Sequence, residues 1–342
     1  MILLRILFRT SGGKASGKEL GLGHIFRCIH LANKLRSNMI YFLIEDYGNV
    51  KKILKEKHFK NIILQNPNVN LTSDIKKTKE IINKNKIDIV IVDKYKTKKK
   101  YLHEIRKISK LVFISDLNNN EYPADVLING FIGLQNQITT NKYGAKCFLG
   151  PQYQILDDKY TKNSPIRKKK WTLLASFGGY DEHNLSGLLC NILSKYDDKI
   201  KTRLILGPAT SKSNALLMLQ KKYEKSISII SHTNNMQKEI LDSKFGICSG
   251  GITSYEFAIM KIPFSIVCQY KHQMITAKQW HKYKLAKNLG FPNSSLPKKI
   301  DNFLKEISEN KFHIDSNRHI IDGFGARRVA KEVLNLMNDK IR

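Results

Sequence analysis

The sequence predicts an α/β protein with two Rossmann-like, doubly wound domains that face one another across a cleft. The chain has 342 residues, which is longer than the chain that one hydrophobic core usually serves. This length suits two domains of roughly 150 residues each. Strand-like and helix-like segments alternate in both halves, as expected of parallel sheets covered by helices. The alternation stops in the polar segment 157–170 and then restarts. We therefore expect domains over residues 1–158 and 171–325, followed by a C-terminal helix over residues 326–342.

The first half contains short apolar runs that are rich in β-branched residues. The runs IDIVIVD and KLVFISD show little polar alternation, which is typical of strands buried on both faces. The predicted strands are Ile2–Arg9, Met39–Ile44, Asn61–Leu64, Ile87–Val92 and Leu111–Ser115. The predicted helices between them are His24–Leu35, Asn49–Lys57, Asp74–Asn85 and Lys100–Ser109. Ligands of such sheets bind at the carboxyl ends of the strands.

The second half repeats the pattern, beginning with the strand WTLLAS at Trp171. The further predicted strands are Thr202–Leu206, Ile227–Ser231, Phe245–Ser249 and Phe264–Gln269. The predicted helices are Asn184–Ser194, Ser213–Tyr223, Met236–Asp242, Thr253–Met260, Gln273–Leu289, Ile300–Asn310 and Ala326–Asn338.

The composition limits the partners and the compartment. A formal net charge of +30 fits nucleic acid, an anionic membrane surface or an anionic small molecule. The basic residues are spread over helices and loops, so we expect no nucleic-acid partner and leave peripheral membrane contact and the oligomeric state open. No apolar run reaches transmembrane length, and the short run at the N-terminus predicts a strand rather than a signal peptide. The five cysteines lack metal-ligand spacing, which predicts free thiols in the cytoplasm and no metal or other cofactor.

Two glycine signals overlap near the N-terminus. Gly12 to Lys18 has the G-x-x-x-x-G-K spacing of a nucleotide P-loop, but a P-loop needs Ser or Thr after its lysine to hold Mg²⁺. Here Glu19 follows, and its carboxylate would repel phosphate. We therefore interpret segment 11–20 as a basic, glycine-rich loop and leave open whether it closes over a ligand as a lid.

The second signal is Gly21-Leu22-Gly23-His24. Its glycines permit a tight turn with unusual φ angles, and His24 then lies in the first turn of an amphipathic helix. The positive end of a helix disfavours protonated imidazole, which predicts a neutral His24 suited to general-base catalysis. Arg27 lies three residues on and could hold an anion. The alternative is a histidine that only caps or packs.

The second half has two further glycine turns. Gly178–Gly179 and Gly250–Gly251 each lie between a predicted strand and a predicted helix, where free helix-terminal amides would suit a diphosphate without a metal. Glu256 falls on the following helix, where it could accept hydrogen bonds from the hydroxyls of a ribose. His272 and Gln273 offer polar contacts at the next strand end. Ordinary strand–helix turns are the alternative for each element alone.

These segments together carry a family resemblance over about residues 1–295. The runs GLGHIFRC, FGGYD and SGGITSYEFAIMKIPFSIV, followed by HQ, resemble the UDP-sugar hydrolase of the pseudaminic acid pathway and its spore-coat polysaccharide relatives. That group belongs to the GT-B glycosyltransferase superfamily. The resemblance implies a GT-B-like fold and the hydrolysis of a UDP-linked 2,4-diacetamido-2,4,6-trideoxy sugar to UDP and free sugar.

The resemblance also implies roles for individual residues. His24 would activate water against the anomeric carbon. Asp93 and Asp116 follow successive strands and would bind sugar hydroxyls or orient His24, although capping of turns is an alternative. The positions that match the family's nucleotide contacts are Gly178, Gly179, Gly251, Thr253, Glu256 and Gln273.

Two departures from the family pattern bear on the substrate. The family has Arg-x-Asp-x-Ser before the glycine turn, whereas this chain has Arg9-Thr10-Ser11 and lacks the aspartate. Relatives often have Asn-Gln where this chain has His272-Gln273. A GT-B glycosyltransferase acting on a glycan or lipid-linked acceptor is therefore an alternative, and a non-catalytic nucleotide or nucleic-acid binding protein is a third hypothesis.

Overall fold

The computed structural model describes residues 3–13, 21–116, 119–161, 168–196, 199–208, 210, 212–315 and 319–338. The chain forms two compact units, residues 1–158 with 322–342 and residues 159–321. Each unit has its own largely parallel sheet, so the predicted α/β class with two Rossmann-like domains is confirmed. Residues 14–20, which are most of the predicted basic loop, and residues 162–167 of the predicted linker lie outside the described residues.

The sheet of the first unit has eight strands within the described residues. They are β1 Arg5–Gly13, β2 Met39–Tyr47, β3 Asn61–Gln65, β4 Ile89–Asp93, β5 Lys110–Ile114, β6 Val126–Asn129, β7 Gln137–Thr140 and β8 Lys146–Leu149. Their order is β3-β2-β1-β4-β5-β6-β8-β7, and only the β7–β8 pair is antiparallel. The strand order reverses between β1 and β4, where Rossmann-like sheets bind ligands beyond the carboxyl ends of the strands.

Helices cover both faces of this sheet. They are α1 Gly23–Lys34, α2 Val50–Glu56, α3 Leu71–Asn85, α4 Lys99–Arg106 and a C-terminal helix, Gly325–Asn338. Because side chains alternate along a strand, Phe8 of β1 packs in the core with α1 and the C-terminal helix, whereas Leu7 packs with α3 and α4. Ile91 shares the α1 face, which places the next alternate residue of β4, Asp93, on the same face.

Four charged side chains form a buried group on the opposite face of β1. Arg9 is fully buried and pairs with Glu45 at 2.7 Å and with Asp74 at 2.9 Å. Lys94 pairs with the same two carboxylates, at 3.0 Å from Asp74. Arg9 also donates to the carbonyl oxygen of Thr10 at 2.7 Å. We call Arg9, Glu45, Asp74 and Lys94 the Arg9 cluster; its two positive and two negative charges balance.

The second unit contains a six-stranded, fully parallel sheet within its described part. Its strands are β9 Trp171–Ser176, β10 Thr202–Ile205, β11 Ile227–Ile230, β12 Ser243–Cys248, β13 Phe264–Val267 and β14 Ala286–Gly290. Its helices are α5 Leu185–Leu193, α6 Asn214–Lys222, α7 Met236–Leu241, α8 Ile252–Ile259, α9 Gln273–Lys282 and α10 Leu296–Ser308. The order β11-β10-β9-β12-β13-β14 reverses between β9 and β12.

The structure corrects the predicted elements in two places. The predicted helix Gln273–Leu289 ends at Lys282, because Lys284 adopts a left-handed φ of 57° and the chain continues into β14, which pairs with β13. The strands β6 to β8 were not predicted. They have only four residues each, and the fully exposed β7 has no apolar face that a pattern could reveal.

The structure also bears on the predictions made from the cysteines and from the apolar runs. All five cysteines are buried and free of disulfides. Among the described helices, none combines the length and the apolar composition needed to cross a membrane.

Candidate active site

The first turn of α1 approaches the carboxyl ends of β1 and β4 very closely. A Cβ atom on Gly12 would lie 2.6 Å from the Cγ1 atom of Ile25, so only glycine fits between the strand and the helix. Neither Gly21 nor Gly23 has a positive φ, so the turn does not use the unusual φ angles that these glycines would permit. Gly23 is instead the first residue of α1, and the helix start fixes His24 above the strand ends.

His24 is paired with a buried carboxylate. Its Nδ1 atom lies 2.6 Å from Oδ1 of Asp93, whose side chain is fully buried at the end of β4. The His24 side chain is 17% exposed, and within the described residues its Nε2 atom makes no hydrogen bond. A carboxylate on Nδ1 holds the proton there and leaves Nε2 as the basic nitrogen.

Arg27 joins this pair to a second carboxylate. It lies one helical turn after His24, on the same face of α1. Its Nε and Nη2 atoms donate to the two oxygens of Asp93 at 2.7 and 2.6 Å. Its Nη1 and Nη2 atoms donate to the two oxygens of Asp116 at 2.7 and 3.2 Å. The guanidinium therefore holds both carboxylates, and these contacts occupy the group that was predicted to bind a substrate anion; that prediction is untested.

Burial and the neighbouring charges shift the pKa values of His24 and Asp93 in opposite directions. Burial lowers the pKa of His24, but the charge and hydrogen bond of Asp93, helped by Asp116, outweigh it and raise the pKa above its ordinary value of about 6.5. The helix terminus was predicted to keep His24 neutral, whereas the neighbouring carboxylates favour its protonated form. Burial raises the pKa of Asp93, but Arg27 and His24 lower it to about 2. Asp93 is thus a carboxylate at any physiological pH.

The same residues have the composition of a cation site. The ligand atoms of His24, Asp93 and Asp116 lie within 4.8 Å of one another. Each of the four carboxylate oxygens already accepts a hydrogen bond from Arg27. The guanidinium of Arg27 is therefore the cation that contacts both carboxylates in this structure.

In the second unit, the Gly178–Gly179 turn follows β9 but does not open a helix. The next helix, α5, begins at Leu185, close to the predicted start at Asn184, so the glycines precede the helix terminus by several residues. The carboxylate of Asp181 accepts from the backbone amides of Leu185 and Ser186 at 2.9 and 2.7 Å. These two amides of α5 are consequently already bonded. Gly178 has a φ of 86°, so the turn itself depends on glycine.

A glycine that sequence reasoning missed packs on this turn. A Cβ atom on Gly207, after β10, would lie 2.1 Å from the carbonyl oxygen of Gly178 and 2.3 Å from that of Gly179. Gly250, after β12, approaches Gln273, where a Cβ would lie 3.0 Å from that of the glutamine. The backbone after β9, β10 and β12 is thus packed together at one edge of the sheet. Glycines at three strand ends were the available signal, but Gly207 followed by Pro208 resembled an ordinary turn.

The remaining predicted nucleotide residues lie at the starts of α8 and α9. Gly251 is the N-cap of α8, and Thr253 and Glu256 lie on that helix, both partly exposed. His272 is the N-cap of α9, and Gln273 is its first residue. The predicted residues therefore form two groups, one in each unit, and their roles in binding stay predictions.

Comparisons with known proteins fit this architecture. No protein-family model matches the chain. An uncharacterized protein of Methanocaldococcus jannaschii is 30% identical over 275 residues, which are 75% of this chain; the match spans 54%, about half, of that relative. The spore coat polysaccharide biosynthesis protein SpsG of Bacillus subtilis is 25% identical over 344 residues, 95% of this chain and 97% of that protein. The resemblance to spore-coat polysaccharide proteins is confirmed by this match.

Solved structures show the fold. MurG of Acinetobacter baumannii superposes with a TM-score of 0.60 at 13% identity, covering 97% of this chain and 99% of that chain. A UDP-GlcNAc 2-epimerase of Neisseria meningitidis, solved with bound UDP-GlcNAc, has a TM-score of 0.60 at 10% identity and covers 97% and 100%. The predicted GT-B-like fold class is confirmed by these likenesses.

Proposed function

We propose that the protein is an enzyme that hydrolyses a UDP-linked diacetamido-trideoxy sugar to UDP and free sugar, in nonulosonic acid or surface polysaccharide biosynthesis. The observation that carries the proposal is the His24–Asp93 pair, with Nδ1 held by a buried carboxylate and Nε2 left without a hydrogen bond in the described part of the chain. The family resemblance and the name of the Bacillus subtilis relative support the substrate class and the polysaccharide role.

The chemistry requires one proton acceptor. Nε2 of neutral His24 takes a proton from water as the water oxygen bonds to the anomeric carbon, and the bond between that carbon and the UDP oxygen breaks. UDP departs with the bonding electrons as a stabilised anion, so the step needs no strong general acid. The imidazolium formed is stabilised by Asp93 and later releases its proton to solvent.

The proposal assigns nucleotide binding to the second unit. The glycine backbone at the ends of β9 and β12 would bind the diphosphate, and Glu256 would accept from the ribose hydroxyls. Asp116, whose side chain is 50% exposed, would accept a hydrogen bond from the sugar.

The decisive experiment is phosphorus NMR of the protein with a panel of UDP-sugars, including UDP-diacetamido-trideoxyhexoses, in the absence of any acceptor. We expect the wild type to release UDP and His24→Ala to be slower by about 10²- to 10⁴-fold, the usual contribution of a general base. A His30→Ala variant, which removes a histidine further along the same helix, is the control and should keep its rate. No UDP release from any sugar would contradict hydrolysis.

Chelation tests the role of Arg27 as the counter-cation. We expect UDP release in excess EDTA to equal that in buffer, because the guanidinium already bonds the four oxygens a metal would need. Loss of activity on chelation and its recovery with a divalent cation would show that a metal displaces Arg27.

A glycosyltransferase is the second candidate, favoured by a UDP-glucosyltransferase and a rhamnosyltransferase among the solved structures of the same fold. The same His24 would then deprotonate an acceptor hydroxyl instead of water. It predicts UDP release only when a glycan or lipid-linked acceptor is supplied, which the acceptor-free NMR experiment distinguishes.

A further inference from the structure

We propose that Gln269 is a positioning residue for nucleotide binding, which sets the place of the Gly178–Gly179 turn relative to the start of α9. It lies two residues after β13. The inference rests on the proposed function, because it assumes that the second unit binds UDP.

The side chain of Gln269 ties down the segment that follows β9. Its Nε2 atom donates to the carbonyl oxygen of Phe177 at 3.0 Å and to Oδ1 of Asp181 at 2.9 Å. These two acceptors flank the Gly178–Gly179 turn on either side. An amide nitrogen has two protons, so both are used to hold the turn from its two ends.

The backbone of Gln269 makes two further links. Its N–H donates to Oε1 of Gln273 at 2.8 Å, and its carbonyl oxygen lies 2.9 Å from Nε2 of His183. One residue thereby joins the first turn of α9 to both the glycine turn and the approach to α5. Gln273 was predicted to contact substrate. In this structure its side-chain oxygen accepts the hydrogen bond from the backbone of Gln269.

Close packing prevents the Gly178–Gly179 turn from moving towards the end of β10 to replace these bonds. Gly207 packs so closely on the carbonyl oxygens of Gly178 and Gly179 that not even a Cβ fits between them. Gln269 itself is 1% exposed, and its Oε1 atom is buried with no hydrogen-bond partner within the described residues. If Gln269 only filled space in the core, an apolar side chain of equal length would be more favourable. Such a side chain would not bury an oxygen that lacks a hydrogen-bond partner.

A residue this deeply buried acts through the groups it holds. The turn presents its backbone at the carboxyl end of β9, next to the reversal point of the sheet, where the backbone of Rossmann-like folds meets a diphosphate. Without the two donated bonds, the turn can relax away from the position that binds UDP. The expected consequence is weaker nucleotide binding with catalysis at saturation largely retained.

The test is calorimetric titration of the full chain with UDP. Gln269→Met keeps the length of the side chain and removes both donors, while Gln269→Glu keeps the shape and places a carboxylate against Asp181. We expect the Kd for UDP to rise by about tenfold or more in both, equivalent to at least about 1.4 kcal/mol of binding free energy. In turnover, KM should rise with it while kcat changes by less than about threefold.

Thr202→Val is the matched control for a general loss of stability. Thr202 is buried at the amino end of β10, at the opposite edge of the same sheet, and its hydroxyl donates to the carbonyl of Ile200 at 3.2 Å. We expect this variant to lower the melting temperature but to leave the Kd for UDP unchanged. A purely structural role for Gln269 would make its variants behave in the same way.

The outcomes separate the inference from the proposed function. If the wild type does not bind UDP, the proposed function fails. If the wild type binds UDP and the folded Gln269 variants bind it equally well, the positioning role is wrong. Should the Met and Glu variants not fold, Gln269→Asn decides in their place, because it keeps the amide but shortens its reach to Phe177 and Asp181.

Discussion

Replacing Asp93 with asparagine is expected to reduce kcat by about 10²- to 10⁴-fold at neutral pH. An asparagine amide can donate a hydrogen bond to Nδ1 of His24, and the ring proton then moves to Nε2. In that tautomer Nε2 carries a hydrogen and cannot take a proton from water or from an acceptor hydroxyl. The effect does not depend on which of the two nucleophiles is used.

The pH dependence should change in a definite direction. A general base works in its neutral form, so wild-type kcat rises as pH increases through the pKa of His24, which Asp93 holds above its ordinary value. Removing the carboxylate lowers that pKa, and the rising limb of the Asp93→Asn profile therefore moves to lower pH. A variant with a lower plateau and a limb at lower pH is the expected signature, measured as kcat against pH at saturating substrate.

Asp116→Asn is the matched comparison. Asp116 contacts Arg27 rather than the imidazole, so its loss should shift the limb less and reduce kcat less. Equal shifts for the two variants, or an unchanged profile in Asp93→Asn, would show that Asp93 does not control the ionisation of His24.

Much of this site was predictable from the sequence because it depends on local patterns. The run Ile87–Val92 indicated a buried strand followed by the carboxylate of Asp93, and the glycine turn indicated that a helix begins near His24. Parallel strands bring their carboxyl ends to one edge, so Asp93 was expected near His24 although 69 residues separate them. From the sequence, Asp93 could either bind sugar hydroxyls or orient His24. The structure shows that it contacts the imidazole of His24.

Other features depend on contacts that no local pattern records. The pairing of Arg27 with two carboxylates needs the register between β1, β4 and the segment after β5, so the isolated arginine resembled an anion-binding group. Gln269 acts through a side-chain amide that reaches an oxygen 92 positions away in sequence. The sequence likewise did not indicate that Asp181 accepts hydrogen bonds from the first amides of α5, because its spacing from the helix matches no standard cap.

Arg9→Met is expected to destabilise the first unit by about 3–5 kcal/mol. The fully buried guanidinium balances Glu45 and Asp74, and its removal leaves two buried carboxylates with Lys94 as their cation in the Arg9 cluster. Arg36→Met is the control on the same unit. Arg36 is exposed, donates to Asn33 and to a backbone carbonyl, and lies over the ring of Phe59 at 4.9 Å. Because these contacts are at the surface, its loss should change the free energy of unfolding by less than about 1 kcal/mol.

The position of the tryptophans allows the loss of stability in Arg9→Met to be assigned to one unit. Both tryptophans, Trp171 and Trp280, belong to the second unit. In urea titrations, far-UV circular dichroism reports both units, while tryptophan fluorescence reports the second. We expect Arg9→Met to move the circular dichroism transition to lower urea and to leave the fluorescence transition largely in place. A variant that lowers both equally would show that the two units unfold together.

The double variant Arg9→Met/Asp74→Asn separates the charge from the packing of the arginine. Asparagine removes one of the two carboxylates, so Glu45 and Lys94 are left as a balanced pair. If the instability of Arg9→Met comes from an uncompensated buried charge, the double variant should recover a large part of the lost stability, although it lacks one more native contact. If it comes from the lost shape of the arginine, the second substitution should add to the damage. We expect recovery, because methionine keeps the apolar stem of the side chain, so the loss of the positive charge is the larger part of the damage.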